Sequence, residues 1–422
     1  MSDENEDWAE VCVEACCEIL DWKRVPVNGE DRDKRIGEVP YYGANGLQGY
    51  IDTFIFDEPL ILIAEDGGRF DEYSTRPIAY RISGKSWVNN HAHVLKANDA
   101  FCQDAIFYNL EHKDIQSFIV GGTRSKLNQS ALRAITLSLP KSKPEQTKIA
   151  EILSTVDRAL EQTDALIAKQ QRIKTGLMQD LLTRGIDANG NLRTEQTHEF
   201  KDSPLGRIPV EWDVLHLKDV SIGGAQNGFF KKPELVGFGC KLINVSEIYQ
   251  DFGIDTNNRK VERVDVTPKN LKKYGVTNGD VFFTRSSLVL EGIAHCNIIN
   301  KVYEPTVFEC HVMRIRPNLS KIEPSFLALY CQSHLARIFL MSRAKHVTMT
   351  TISQPELESL HVPVPRSMNE QKLILNAIQA VESTLRQNQN DKAKLKNLKT
   401  SLMQDLLTGR KRVTALLAPI AM

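Results

Sequence analysis

Several clusters in this chain have the residue types that chemistry needs. Ser83-Gly84-Lys85-Ser86 looks like the end of a phosphate-cradling loop, but the required first glycine would fall at 79, where Ala79 stands. The tetrapeptide reads as a solvated turn. Gly43, Gly46 and Gly49 in YYGANGLQGY do not have the dinucleotide-binding spacing, and no long helical pattern follows them. They suit turns or a close approach of backbone to a ligand. His91/His93, His295/Cys296 and Cys310/His311 could each begin a metal site, yet no second pair follows at finger spacing. Cys12, Cys16 and Cys17 lie on a short apolar helical stretch and read as core. Neither a G-x-S-x-G elbow nor an N-P-P-[FY] run occurs. The expected chemistry is therefore binding, with no catalytic residue, no metal and no cofactor in this chain.

Composition sets outer bounds. At 422 residues the chain exceeds one ordinary core and calls for two or three domains. No run of about 18 apolar residues exists to span a membrane. MSDENEDWAE lacks a signal-peptide pattern, and the eight cysteines form no C-x-x-C pair, so a reducing cytoplasm is expected. The net charge is zero, although residues 1–140 hold 14 Lys/Arg against 23 Asp/Glu. Charge alone does not announce nucleic acid.

The elements that must position any binding residue show up as a repeat. LMQDLLT occurs at 177–183 and again at 402–408, an offset of 225. At that offset residues 139–183 match 364–408 without a gap, with 19 identities in 45 positions, too many for chance. Ser142 with Glu145, and Ser367 with Glu370, have S-x-x-E spacing and predict capping boxes, each behind a proline, Pro140 or Pro365. Ile149, Leu153, Val156, Leu160, Ile167, Leu177 and Leu181 fall on two lines of sevens. Ile374, Ile378, Val381, Leu385, Leu395, Leu402 and Leu406 do the same in the second copy. Such lines predict coiled-coil seams, interrupted by Thr163, Gln170, Lys174, Asn388, Lys392 and Lys399. Two such rods, each roughly 58 Å long at 1.5 Å per residue, pair most economically with each other.

The remainder divides accordingly: a first head over 1–138, a helix over 139–183, a linker over 184–204, a second head over 205–363, a helix over 364–410 and a tail over 411–422. Both heads read as mixed α/β with strands in the majority, from TFIFDEPLILIAED in the first and NGDVFFTRSS in the second. FLALYCQSHLARIFLMS, from Phe326, reads as one amphipathic helix. The stretch from Thr183 to Trp212 is polar and punctuated by Gly and Pro, which predicts a connection rather than core. The fold class expected is α+β: two mixed domains, two long helices paired as an antiparallel coiled coil, and a pseudo-two-fold internal repeat.

These segments resemble the specificity subunit of type I restriction–modification enzymes. YYGANGLQGYIDTFIFDEPLILIAEDGG resembles the start of a target-recognition domain, and IVGGTRSKLNQSALRAITLSLPKSKPEQTKIAEIL resembles its exit into the central conserved helix. LLTRGIDANGNLRTEQTHEFKDSPLGRIPVEW resembles the family's bridge to the second domain. The acidic stretch through Glu38 departs from the pattern, and the second domain matches only loosely, around KYGVTNGDVFFTRSS. The resemblance implies a non-catalytic subunit that reads a bipartite, asymmetric sequence in double-stranded DNA, one half per head, with the helices as a ruler. It also implies docking of two methyltransferase subunits, which recruit motor–nuclease subunits. S-adenosylmethionine, ATP and Mg would belong to those partners, and no membrane is involved.

For DNA contacts the residue types of interest are Arg and Lys for guanine, Asn and Gln for adenine, and cations or hydroxyls for phosphate. In the first head these are Tyr41, Tyr42, Asn45, Gln48, Arg69, Arg76 and Lys85, then Thr123, Arg124, Ser125 and Lys126 just before the helix. In the second they are Lys231, Lys232, Arg285, Ser286, Ser287, Arg343, Lys345, His346 and Thr348. The rival readings are a methyltransferase or nuclease with duplicated DNA-binding heads, or a two-headed binder of peptides or glycans. A rod of about 58 Å matches about 17 base pairs at 3.4 Å each. Four residues added to one helix are expected to lengthen the preferred gap by about one or two base pairs.

Overall fold

In the computed structural model, residues 7–121, 125–257, 260–346 and 349–417 are described. The chain divides into two compact units, Met1–Ala165 with Gln389–Met422, and Leu166–Asn388. Two 39-residue helices, Lys143–Leu181 and Met368–Leu406, each contribute one half to each unit.

In the first unit the central strand is Leu60–Ala64, whose five residues LILIA are all buried. Such a run suits a strand covered on both faces. It lies in a four-stranded antiparallel sheet ordered Cys17–Ile19, Ala92–Ala97, Leu60–Ala64, Ala79–Ile82. A second sheet holds the hairpin Val39–Gly43 and Gly46–Ile51, with Val39–Gly43 running parallel to Lys85–Val88. In the second unit Val281–Thr284, again wholly buried, takes the central place. The order there is Ser221–Asn227, Val312–Pro317, Val281–Thr284, Cys296–Ile298. Its second sheet likewise contains one parallel pair, Val236–Ile243 with Thr306–Phe308. Two heads with little sequence in common therefore have one topology.

Each head opens and closes on a single ladder. Trp8–Cys12 pairs antiparallel with Thr136–Pro140, and Trp212–His216 with His361–Pro365. The closing strands lead straight into the long helices, so the ladder fixes where each helix starts.

Within each unit the two half-helices pair antiparallel. Lys399 reaches Asp157 at 2.8 Å and Glu111 at 2.8 Å in the first unit, where Lys392 also pairs with Asp164. In the second unit Lys174 reaches Glu382 at 2.6 Å. Shifted by 225 residues, Lys174–Glu382 becomes Lys399–Asp157, so the repeat reproduces the pairing. The lysines that interrupt the apolar seam thus carry its cross-helix contacts. Ile149, Leu153, Val156, Leu181, Ile374, Ile378, Leu385 and Leu406 are buried, while Leu160, Ile167, Leu177, Val381, Leu395 and Leu402 are half-buried.

Three sequence expectations need correction. The glutamates of the two S-x-x-E segments do not turn back on their own helix starts. Glu370 takes Arg193 as an ion pair, and also accepts from Trp212 Nε1 at 3.1 Å and from the Ile186 N–H at 3.2 Å. Glu145 takes Arg412 through two bonds of 2.7 Å. The stretch after Thr183 is not a bare connection, because Ile186, Arg193 and Ile208 are buried in the second unit. The run from Phe326 is two helices, Pro324–Gln332 and His334–Arg343, because Ser333 caps the second one by accepting from the Ala336 N–H.

The same latch closes both units. Gly185 and Gly409 follow the two long helices in left-handed backbone, with φ of 65° and 70°. A side chain at either position would strike a tryptophan, Trp212 or Trp8. Only glycine fits, by conformation and by space. Removing one partner of a buried ion pair strands the other charge, at a cost of about 3–5 kcal/mol. Glu370→Ala is therefore expected to lower the stability of the second unit by about that amount, measured by denaturant unfolding. Glu145→Ala should cost less, because Arg412 is partly exposed.

Candidate nucleic-acid interface

In the first unit the candidate residues gather around the loop that follows the central strand, residues 65–78. Asn45 Nδ2 donates to Gly67 O at 3.1 Å, which ties the tip of the 39–51 hairpin to this loop. The Gly67 N–H donates to Ser125 O at 3.2 Å, and Asp66 bridges to Lys126, which ties in the strand Lys126–Leu127. Lys126 also pairs with Glu65 at 3.3 Å. Between hairpin and loop lies a cavity of about 290 Å³, with Tyr42, Asn45, Arg69, Phe70, Arg76 and Tyr80 among its lining residues. Glu72 holds both Arg69, at 3.2 Å, and Arg76, at 3.7 Å, so the two guanidiniums are oriented from within the loop.

Other residues stand apart. Tyr41 is buried and donates to Val27 O at 3.2 Å, which makes it a packing residue. Gln48 accepts from Asn89 Nδ2 at 3.3 Å. Lys85 lies over the Phe54 ring, 4.9 Å from its centre, and does not line the cavity. Thr123 and Arg124 lie outside the described residues.

In the second unit Ser286–Ser287 pairs with Thr350–Thr351, which pairs in turn with Lys345–His346. Four of the sequence candidates thus share one small three-stranded ribbon, and Arg285 immediately precedes it. Ser286 Oγ bonds His311 Nδ1 at 2.8 Å, the Arg285 guanidinium donates to Cys310 O at 3.3 Å, and Lys345 pairs with Glu356 at 3.2 Å. Arg343 ends the preceding helix, over the Phe339 ring. Lys231 lies elsewhere, bonded to Glu262 at 2.6 Å and Asn244 at 3.0 Å, with exposed Lys232 beside it. The Lys231 ammonium holds the Glu262 carboxyl below its ordinary range against a raising effect of burial. Thr348 lies outside the described residues.

The two sites are equivalent by topology. In each, the loop after the central strand meets a strand that leads into a short helix, Gln129–Ala134 or Gln354–Glu358. The residues at equivalent places differ: two arginines and an asparagine beside a cavity in one, hydroxyls and cations on a ribbon in the other. Sequence reading missed Leu288, Val289 and Leu290, an exposed apolar run directly after Ser287. Three adjacent apolar residues closed by Glu291-Gly292 were the available signal.

The histidine and cysteine pairs are engaged internally. Buried His93 bonds Asp21 at 2.6 Å and Leu127 O at 2.8 Å, while Gln129 Nε2 donates to the same Asp21 carboxylate at 3.1 Å. Glu65, which completes a possible ligand trio there, already pairs with Arg24 at 2.8 Å. His295 stacks on Tyr249, and burial together with the Arg337 charge holds it below its ordinary value. All eight cysteines are unbridged.

A family model described as the type I restriction modification DNA specificity domain matches residues 5–169 and again 209–397, one match per repeat. The chain belongs to this family of type I specificity subunits. It is 26% identical over 319 residues to the type I restriction enzyme MjaVIII specificity subunit of Methanocaldococcus jannaschii, covering 73% of this chain and 70% of the relative. It is 23% identical over 308 residues to the EcoKI specificity subunit of Escherichia coli K12, covering 71% and 63%. The fold is similar to that of a type I restriction–modification S subunit from M. genitalium, with a TM-score of 0.61 at 15% identity, over 96% of this chain and 98% of that one. Among the described residues no helix is long and apolar enough to cross a membrane.

The Asp21 cluster anchors the strand that carries Lys126, and its pH dependence follows. Burial pushes the Asp21 carboxyl up, but the His93 bond and charge, the Val94 N–H and Arg24 more than offset this and hold it below its ordinary range. A lowered folded value stabilises the fold above the ordinary carboxyl range, and that contribution is lost as pH falls through the folded value. Asp21→Asn is thus expected to lower the melting temperature at pH 7 by several degrees. The difference from the unaltered chain should shrink toward about pH 3, below the ordinary Asp value.

Proposed function

We propose that this chain is the DNA-reading, non-catalytic subunit of a cytoplasmic type I restriction–modification complex, and that its two heads read two unlike half-sites. The observation that carries this reading is the repeat of one head topology with different residues on the equivalent loops. One architecture presented twice would meet DNA in the same way twice. Different side chains on the loops would then read different bases, which makes the site bipartite and asymmetric. Phosphate contacts from Ser, Thr, Lys and Arg would position each head, and the remaining polar groups would read base edges.

In this reading the paired helices fix the gap between half-sites. The ion pairs across the helices correct the test by insertion into one helix, which would break their register instead of simply lengthening the gap. One heptad added to both helices, at facing positions, preserves the seam and lengthens the pair by about 10 Å. The gap in the sequence selected from a random duplex library should grow by about three base pairs. An unchanged gap would remove the ruler from the account.

Two grooves support the docking of two identical methyltransferase subunits. In the second unit Lys174, Thr175, Met178, Gln179 and Leu182 line a groove with His334 and Arg337. In the first unit the residues 225 positions on, Lys399, Thr400, Met403, Gln404 and Leu407, line another with His112 and Lys113. Thr175, Gln179, Thr400 and Gln404 are exposed, so helix packing does not account for their identity. Two matched surfaces suit two copies of one partner. S-adenosylmethionine, ATP and Mg would be bound by the methyltransferase and motor–nuclease partners. Gln179→Arg is expected to leave one methyltransferase subunit bound in native mass spectrometry, and Gln179→Arg with Gln404→Arg none. Full occupancy in the double variant would place docking elsewhere.

A further inference from the structure

Among the described residues, the second head carries a feature that the first lacks. Leu288, Val289 and Leu290 are 80%, 58% and 46% exposed, three apolar side chains in a row on a loop tip. In the first head the corresponding loop buries Phe70, half-buries Tyr73 and exposes arginines.

The tip is exposed but firmly based. Tyr249 and Thr284 hydroxyls donate to Gly292 O at 2.8 and 2.6 Å. Arg337 donates to Ile293 O and Glu291 O at 2.6 and 2.7 Å, and the Val289 N–H donates to Ser287 Oγ at 3.2 Å. Gly292 N–H closes the turn onto Val289 O at 3.2 Å. Gly292 has no room for a side chain, which would meet Ser287 and Tyr249. Ala294 completes the loop in left-handed backbone at φ 49°, a conformation L residues adopt rarely. A backbone that pre-organises an apolar tip cuts the ordering entropy lost when a partner meets it.

The surroundings say which partner. The tip directly follows Arg285, Ser286 and Ser287 on the ribbon shared with Thr350, Thr351 and Lys345. Hydroxyls and cations on the ribbon that leads into the apolar tip, with one exposed carboxylate, Glu291, behind it, match the edge of a duplex, where phosphates flank a groove whose apolar groups are thymine methyls. Resting on the DNA-reading role above, we infer that Leu288 and Val289 form a thymine-methyl reader, so that the half-site read by the second head contains a thymine contacted through its 5-methyl group.

Deoxyuridine tests this, because it keeps thymine's pairing and lacks only the methyl. The full chain with its methyltransferase subunits is assayed on duplexes carrying its selected site, with each thymine replaced in turn. One replacement should weaken binding about fourfold, the worth of one buried carbon group. The variant Leu288→Ala, Val289→Ala should bind the thymine duplex as weakly as the unaltered chain binds the substituted one, and should ignore that replacement. Both side chains are exposed, so its melting temperature should not change. Absence of any sensitive thymine, or equal sensitivity in chain and variant, overturns the inference and leaves the DNA reading standing. A complex that selects no sequence overturns both. Release of methyltransferase subunits from the variant would assign the tip to a protein interface, and would also overturn it.

Discussion

Two lysines in the seams of the long helices set the terms for the rest of the structure. Lys174 meets Glu382, Lys399 meets Asp157, and the two pairs are related by the internal repeat. Apolar seams attract without specifying register, whereas a half-buried lysine in the seam is stabilised where a carboxylate lies opposite. The pairs therefore select one antiparallel alignment in each unit. That alignment brings the end of each helix to the first strand of a head, where Gly185 meets Trp212 and Gly409 meets Trp8. There the Glu370–Arg193 and Glu145–Arg412 pairs close the units. Each unit is thus completed by chain segments far apart in sequence.

Part of this was legible in the residues. The repeat, the helices and their seams followed from spacing alone, because helical periodicity is a local property. The partners of Glu145 and Glu370 were not legible. An S-x-x-E segment looks the same whether its glutamate turns back or meets an arginine 267 positions further on, as Glu145 does with Arg412. The shared topology of the heads was hidden for a related reason. Strand order depends on long-range pairing, and LILIA and VFFT need only be buried to occupy equivalent central places. Ser333 could be read as polar within a helix or as a cap, and only packing decided for the cap.

The candidate interface was legible in its residue types more than in its assembly. Asn45, Arg69, Arg76 and Lys126 are scattered over 82 positions, yet all meet around one loop because hairpin, loop and strand are bonded through Gly67 and Asp66. Tyr41, of equally suitable type, points inward. The apolar tip at Leu288 escaped notice because exposed leucines look like core until the fold is known. What unites the two heads is the scaffold, and the side chains on their equivalent loops differ. This division suits a protein whose framework is constant while its reading differs from one head to the other.

The most direct test of the central claim, that one scaffold reads two unlike half-sites, is a genome-wide map of methylated adenines in a host with and without this gene. The account predicts a methylated motif that disappears with the gene and consists of two different defined sequences separated by a fixed unspecified gap. A continuous motif, two identical halves, or a map unchanged by loss of the gene would contradict it.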